Sequence, residues 1–437
     1  MKTRLAPPDV LHPLIDTLAR HGVRPVLVGG YVRDAILDIA CKDIDIECFG
    51  VGSLDALAEL LSSFGSVNSV GKSFGVLKLR LGTYEIDLSL PRTETKTGRG
   101  HNGFAVASFE RFDFKTAAKR RDFTVNAVGY DLLRHTWLDP FGGRNDLEAR
   151  RLRCVDPSTF VEDPLRLLRA VQFAARFELT PDKQLLTLAH KMVRDGVLEE
   201  LPKERIFEEI KKLLLKAARP SIGLHTMDAL HITPFFSELE ALKKQPDRNG
   251  GSAWMHTLNA LDAMALRRES IDADPLALML GTLCLAMKTE HSVCAFLAQL
   301  TDDKRLVKTV LEYVRYHGEP DRLYKEKASD AQIMRLACRV RIDAIAAVAE
   351  ADHLGTFPKK THSDAVQWLL EKAEKLGVLY EPRPALLGGD DLIAAGLRPS
   401  AQFKTLLDRA YDAQLEGIFS DKTGAKAWLE RYLSDLG

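Results

Sequence analysis

Apolar residues change their spacing part-way along the chain. In the first third, short runs carry the period-two alternation of half-buried strands or the solid apolar character of covered ones. Residues 25–30 read PVLVGG, an apolar run closed by two glycines, and YVRDAILDI follows with helical spacing. KDIDIECFGV alternates polar and apolar positions, and VLKLRL (76–81) and YEIDLSL (84–90) read as a hairpin turned by Gly82 and Thr83. From about residue 160 the period becomes that of helices, over 163–177, 203–217, 255–268, 275–289, 303–316 and 328–353, with no convincing strand afterwards. The expected class is α+β: a small sheet flanked by helices to about residue 150, then an all-α remainder. Pro/Gly clusters near 218–222, 245–252 and 380–389 punctuate the helices and suggest boundaries at 1–150, 151–245, 246–380 and 381–437.

Composition changes this picture little. Of the 437 residues, 46% are hydrophobic and 28% charged, so a sizeable core is available. Lys plus Arg and Asp plus Glu each number 61, so a nucleic-acid partner would have to be met by a local basic patch rather than by bulk charge. Such a patch exists in residues 92–121, where Arg92, Lys96, Arg99, Arg111, Lys115, Lys119, Arg120 and Arg121 face only Glu94, Glu110 and Asp113. The six cysteines, Cys41, Cys48, Cys154, Cys284, Cys294 and Cys338, form no CxxC pair, and most sit in apolar runs. They read as buried thiols of a reducing compartment. With no signal-peptide pattern and no membrane-spanning apolar run, a cytoplasmic protein is expected.

The candidate chemistry begins with Asp43 and Asp45, one residue apart on a predicted strand and therefore on one face. Two adjacent carboxylates repel unless a cation lies between them. Mg²⁺, shared with triphosphate oxygens, meets that need, and two such ions could activate a 3′-hydroxyl and stabilise leaving pyrophosphate. Asp87, on the hairpin, is a possible third carboxylate. Alone, an Asp-x-Asp pattern is better read as solvent-facing acids on an edge strand. The Gly29-Gly30 turn just upstream strengthens the first reading, because glycines at a strand-to-helix turn let backbone N–H groups approach a phosphate, and Arg33 adds a charged donor.

These motifs, in order, resemble the class II tRNA nucleotidyltransferase and poly(A) polymerase family of polymerase-β-like nucleotidyltransferases, bacterial type. Gly29-Gly30-Tyr31-Val32-Arg33-Asp34 with Asp43-Ile44-Asp45 resembles the metal- and triphosphate-binding motif, and residues 91–104 resemble a loop segment of bacterial CCA-adding enzymes. Arg120-Arg121-Asp122-Phe123-Thr124-Val125-Asn126-Ala127 resembles the motif tied to nucleotide ribose and phosphate; residues 139–147 resemble a hinge between head and neck. Glu162-Asp163-Pro164-Leu165-Arg166 resembles the element that reads the incoming base, and residues 201–214 the neck helix that supports it. The resemblance implies a nucleotidyltransferase head followed by an all-α neck, body and tail. It also implies an enzyme that adds CMP, CMP and AMP to the 3′ end of tRNA from CTP and ATP without a template. Asp43 and Asp45 are then the catalytic, metal-binding pair. Gly30, Arg33, Arg120, Arg121, Asp122, Asn126, Asp163, Arg166 and Arg169 are the expected nucleotide-binding residues, and Mg²⁺ is the implied cofactor.

The base reader has an independent rationale. With a helix carrying both, Asp163 and Arg166 are three apart and share a face. Cytosine and adenine each present an amine donor beside a ring-nitrogen acceptor, which an acid and a guanidinium can meet. Guanine and uracil present the reverse and would leave buried charges unpaired.

Several positions depart from the family. Trp254 to Asp262 resembles the start of an HD phosphohydrolase domain, but Leu283-Cys284-Leu285-Ala286-Met287-Lys288 stands where the His-Asp pair belongs, and Gly318 follows His317 where Asp is expected. This implies a helical domain without phosphohydrolase activity, with His256 and His317 structural. Thr116-Ala117-Ala118 replaces acidic residues, Gln172 an Arg and Asp38 a Gly. Residues 388–428 resemble a tail expected to contact tRNA. Within the family, a CC-adding, A-adding or poly(A)-forming enzyme is the alternative, argued against by the full-length 91–121 segment and by Gly71-Lys72-Ser73-Phe74. Outside it, the alternative is a non-catalytic RNA-binding protein on the same scaffold.

Overall fold

A computed structural model describes residues 4–65, 75–96, 104–108, 113–247, 250–400 and 402–435. Arg99, Glu110 and Arg111 of the basic patch, and residues 71–74, lie outside the described residues. The chain divides into two compact units, Met1–Leu213 with Ile222–Phe235, and Leu214–Ser221 with Phe236–Gly437.

The first unit opens with helix α1 (His12–Arg20), strand β1 (Arg24–Val28), helix α2 (Gly29–Ile36), strand β2 (Asp43–Phe49) and helix α3 (Leu54–Leu61). Strands β3 (Val76–Leu81) and β4 (Tyr84–Ser89) form the expected antiparallel hairpin, with Gly82 at φ +61° supplying the turn. Strands β5 (Arg92–Lys96) and β6 (Phe104–Ser108) pair separately and antiparallel. Helix α4 (Phe114–Ala118) and strands β7 (Gly129–Asp131) and β8 (Thr136–Leu138) complete the head. Six strands make one sheet in the order β3-β4-β2-β1-β7-β8, in which β2 runs antiparallel to β1 and parallel to β4.

Alternation decides what each face carries. Leu27 of β1 and Ile44, Ile46 and Cys48 of β2 join Leu14 and Leu18 of α1 and Leu57 and Leu61 of α3 in the main core. Val26, Val28 and Phe49 face the other way and pack with Phe114, Ala117 and Ala118 of α4. Asp43, Asp45 and Glu47 share that second face, because they alternate with the core isoleucines along β2. Burying α4 beneath the face delivers the following residues, Arg120 and Arg121, to these acids.

Helix α5 (Gly143–Glu148) is capped by Asp139, whose carboxylate accepts from Gly143 N at 2.7 Å and Arg144 N at 3.0 Å. Only glycine fits at 143: a Cβ there would lie 2.0 Å from the Thr124 carbonyl. Two-residue strands β9 (Arg151–Leu152) and β10 (Thr180–Pro181) pair in parallel. Helices α6 (Pro157–Phe160), α7 (Leu165–Phe177), α8 (Lys183–Arg194) and α9 (Lys203–Lys216) follow. Asp163 precedes α7 instead of riding on it. Its carboxylate accepts from Leu165 N at 3.1 Å, and Pro164 occupies the cap. The residue before a proline is driven out of helical geometry, which places the acid on the approach to the helix.

The described second unit is helical. Its helices include Ala253–Ala265, Pro275–Cys284, Lys304–Tyr316, Asp330–Ala337, Ile342–Thr356 and Asp364–Leu376. Helix Ala253–Ala265 packs closely on Ile342–Thr356, where a Cβ on Gly355 would meet Ala260 Cβ and the His256 ring at 2.9 Å. The single helix expected over 328–353 is two, broken after Ala337 and restarted at Ile342, with Arg341 bonded to Asp343 at 2.8 Å in the new first turn. A separate small core of Leu387, Leu392, Ala410, Ala413, Phe419, Ala425 and Leu429 unites the last three helices. Among the described residues no helix is long and apolar enough to cross a membrane. All six cysteines are free, and Cys48, Cys154 and Cys284 are buried as expected. Cys294 and Cys338 are exposed and Cys41 intermediate, because the apolar runs around these three do not place every position inward.

Candidate nucleotide-binding site

One cavity of about 430 Å³ gathers Gly29, Gly30, Arg33, Arg120, Arg121, Asp122, Asn126, Asp163, Leu165, Arg166, Arg169, Phe173 and Arg205. It contains every nucleotide-binding residue expected from the sequence, and adds Gly29, Leu165, Phe173 and Arg205. Arg33, Arg120, Arg121, Arg166, Arg169 and Arg205 face only Asp122 and Asp163 there, so the lining is strongly positive and suited to a polyanion.

The arginines are held by a buried network. Arg33 donates to Asp34 Oδ1 at 2.6 and 2.8 Å and to Asn126 Oδ1 at 2.8 Å. Its guanidinium lies 4.2 Å from the Phe177 ring centre and 5.2 Å from that of Phe173. Asn126 Nδ2 donates to Asp122 Oδ1 at 2.9 Å, and Arg169 donates to Asp122 Oδ2 from Nε at 2.7 Å and lies 2.6 Å away through Nη2. Burial pushes the Asp122 carboxyl up, but Arg169, Asn126 and the Phe123 N–H outweigh it and hold it below the ordinary range. Rings of Phe123, Phe160, Phe173 and Phe177 pack at 5.7–5.8 Å in the same region, giving the arginines an apolar backing.

Arg120 and Arg121 connect this cavity to the acids of β2. Arg120 Nη2 donates to Glu47 Oε1 at 3.1 Å, and Glu47 is wholly buried. Arg121 Nη1 donates to the Asn126 carbonyl at 3.2 Å. Burial lowers the Arg121 pKa, opposed chiefly by Glu47 and, less, by Asp45. Asp45 stands at the cavity's edge, against Gly29 and Arg121: a Cβ built on Gly29 would lie 2.8 Å from Asp45 Oδ2 and 3.5 Å from Arg121 Nη1.

The acids fit a divalent cation as a half-site. Burial raises the Asp45 pKa to about 6; Arg121 opposes this, and Asp87 and Asp43 add to it. Asp45 pairs directly with Asp87 across the parallel strands, but Asp87 already binds Lys78 at 3.2 Å. Among the described residues no three His, Cys, Asp or Glu side chains are gathered to hold a metal. Two carboxylates completed by phosphate oxygens is how Mg²⁺ is usually held at phosphate-transferring centres, so the missing third protein ligand is consistent with that role.

Arg166 is oriented by backbone: Nη1 donates to the Thr159 carbonyl at 2.6 Å and Nη2 to the Arg120 carbonyl at 2.7 Å. These contacts use two of its five N–H donors and aim the guanidinium into the cavity that Asp163 also lines.

The six-stranded head thus carries paired acids on one face and an arginine cavity beside them. Residues 26–153 match the poly A polymerase head domain. The chain is 39% identical over 226 residues to the multifunctional CCA protein of Stenotrophomonas maltophilia strain K279a, covering 51% of this chain and 53% of that protein. It therefore spans about half the length of that relative. Its fold is that of solved CCA-adding enzymes. It is similar to one in complex with ATP, at TM-score 0.69 and 19% identity over 100% of both chains. It is also similar to the Thermotoga maritima enzyme in complex with tRNA(CCA), at TM-score 0.65 and 20% identity over 99% of this chain and 97% of that one.

In the second unit, His256 and His317 line a separate cavity of about 670 Å³. His256 Nε2 lies 3.1 Å from Asp352 Oδ1, and His317 Nδ1 lies 2.7 Å from the Val314 carbonyl oxygen. Both histidines thus have partners within the helical unit.

Proposed function

We propose that this protein adds CMP, CMP and AMP in turn to the 3′ end of tRNA, using CTP and ATP and no template. The observation that carries the reading is the single cavity that joins a six-arginine lining, Asp163 and Arg166 to the edge where Asp45 stands. Arg120, Arg121 and Arg169 would bind the triphosphate, and Asp163 and Arg166 the Watson–Crick edge of the base. Cytosine and adenine satisfy both side chains, while guanine and uracil set donor against donor and acceptor against acceptor. In the reaction the 3′-hydroxyl oxygen bonds to the α-phosphorus, its proton leaves to solvent, and the bond to the pyrophosphate oxygen breaks.

Enzymes with this head generally use a divalent metal, and we propose Mg²⁺ held by Asp43 and Asp45. When bound it supplies charge stabilisation at the reacting phosphate. The protein's own part is to fix the triphosphate among rigid arginines and to choose the base. Residues 1–150 would then act as the catalytic head, 151–245 as the base-reading neck, 246–380 as a body without a working HD pair, and 381–437 as a tail contacting tRNA. A cytoplasmic setting agrees with six free cysteines.

The test is incorporation by purified protein into tRNA ending at the discriminator base, at C, or at CC, with each of the four nucleoside triphosphates. The proposal requires C, C and A respectively. Growth of a long A tail, or arrest after CC, would select a different member of the family.

A further inference from the structure

Asp43, Asp45 and Glu47 occupy every second position of β2, but burial separates their tasks. Asp43 is exposed, Asp45 half-buried and Glu47 wholly buried. A step of two residues along a strand is about 7 Å, so Glu47 lies one such step past Asp45 on the covered part of the face. Its surroundings are apolar: Val26 is its register partner on β1, and Phe49 follows it on the same face, both in the core with α4. A carboxylate there is costly unless cations answer it. Arg120 does so through the 3.1 Å bond to Oε1, and Glu47 is the leading charge that sustains Arg121 against burial. Glu47 Oε2 is buried with no hydrogen-bond partner among the described residues.

An amide in this place would also accept the Arg120 bond and would spare the fold a buried charge. What only the carboxylate supplies is negative charge beside two adjacent guanidiniums, which repel each other. In its absence the next acid along this face is Asp45, against which Arg121 already stands. We infer that Glu47 is a positioning residue for nucleotide binding: it anchors the Arg120 and Arg121 guanidiniums, holding them toward the triphosphate and off the Asp45 carboxylate. Both arginines line the nucleotide cavity, and Glu47 acts on it through them. The inference rests on the proposed nucleotidyl transfer.

The test pairs binding of inorganic tripolyphosphate, by isothermal titration calorimetry, with steady-state addition of C to tRNA ending at the discriminator base. Glu47→Gln keeps the shape and the acceptor oxygen and removes the charge. It should weaken tripolyphosphate binding and raise the KM for CTP about tenfold, the scale of a lost charge-assisted bond, and leave the KM for tRNA unchanged. In an Arg120→Gln background the same substitution should weaken tripolyphosphate binding only about threefold, because one of the groups it acts through is gone. Glu47→Asp keeps the charge but withdraws it by one methylene. It should give an intermediate loss, and it carries the test if Glu47→Gln does not fold by circular dichroism. Wild-type tripolyphosphate affinity and CTP KM in the folded variant, even with a lowered melting temperature, overturn the inference alone. An undiminished tenfold loss in the Arg120→Gln background does the same. Wild-type protein that binds tripolyphosphate but does not incorporate CTP overturns the proposed reaction, and the inference with it.

Discussion

Gly29 and Asp45 approach so closely that a Cβ at position 29 would press on the Asp45 carboxylate. Gly29 has φ +69°, and a Cβ there would stand 2.8 Å from the Asp45 carboxylate. The turn that starts α2 and the acid on β2 are therefore one unit: the helix can begin where it does only because the side chain opposite is given room. Gly29→Ala forces a left-handed alanine, at about 1–2 kcal/mol, and displaces Asp45 as well. Its melting temperature should fall, and nucleotide incorporation should fall about 10²-fold, the scale of a misplaced reacting group. Unchanged incorporation would detach the glycine from the site.

Asp122 organises the arginines. Asp122→Asn leaves Arg169 without its charged partner and should cost about 3–5 kcal/mol, the scale for breaking a buried ion pair. The sign with pH follows from the depressed pKa. A carboxyl held below its ordinary value stabilises the fold fully above the unfolded pKa of about 3.9 and loses that contribution as pH falls through the folded value. Chemical denaturation should show a constant gap between wild type and variant from pH 6 to 8, closing below about pH 4.

Asp163 is proposed to meet the base. Asp163→Ala should raise the KM for CTP and ATP about tenfold or more, the scale of one lost charge-assisted bond, while use of GTP and UTP relative to CTP and ATP increases. Competition among the four nucleotides in one incorporation reaction measures this. Selectivity equal to wild type would move base reading elsewhere.

The acids and the arginine pair were legible because their signals are local. Period-two spacing puts Asp43 and Asp45 on one face without any knowledge of the fold, and charge density marks Arg120 and Arg121. Their partners were not legible. Glu47 reads as one more alternating acid, yet it is buried beneath Arg120; only the sheet's second core shows that this face is covered. Arg205 lies in a recognised stretch, but helical spacing does not say which side of α9 meets the cavity. The three-residue spacing to Arg166 puts Asp163 on a helix, but Pro164 after it marks the helix start. Asp38 is similar: its backbone stands at φ +59°, a conformation that sequence spacing cannot display.

In the second unit, His256 and Asp352 form a pair whose contribution has the opposite pH sign. Burial lowers the His256 pKa, but its bonds and charge contact with Asp352 outweigh this and raise it. A raised histidine pKa stabilises fully below the unfolded value of about 6.5, and the contribution is lost as pH rises through the folded value. Asp352→Asn should therefore lower the melting temperature more at pH 6 than at pH 9, in differential scanning calorimetry. An equal effect at both would show that the histidine is neutral throughout.

The central claim is that Asp45 and the arginine cavity serve one bound nucleoside triphosphate during its transfer to RNA. Single-turnover incorporation of radiolabelled CTP into tRNA ending at the discriminator base, by wild type and by Asp45→Asn, tests it most directly. The account predicts a fall of at least about 10²–10³-fold in rate with the folded state retained, as expected when a charge-stabilising group is removed from a reacting phosphate. Incorporation by Asp45→Asn at the wild-type rate would contradict it.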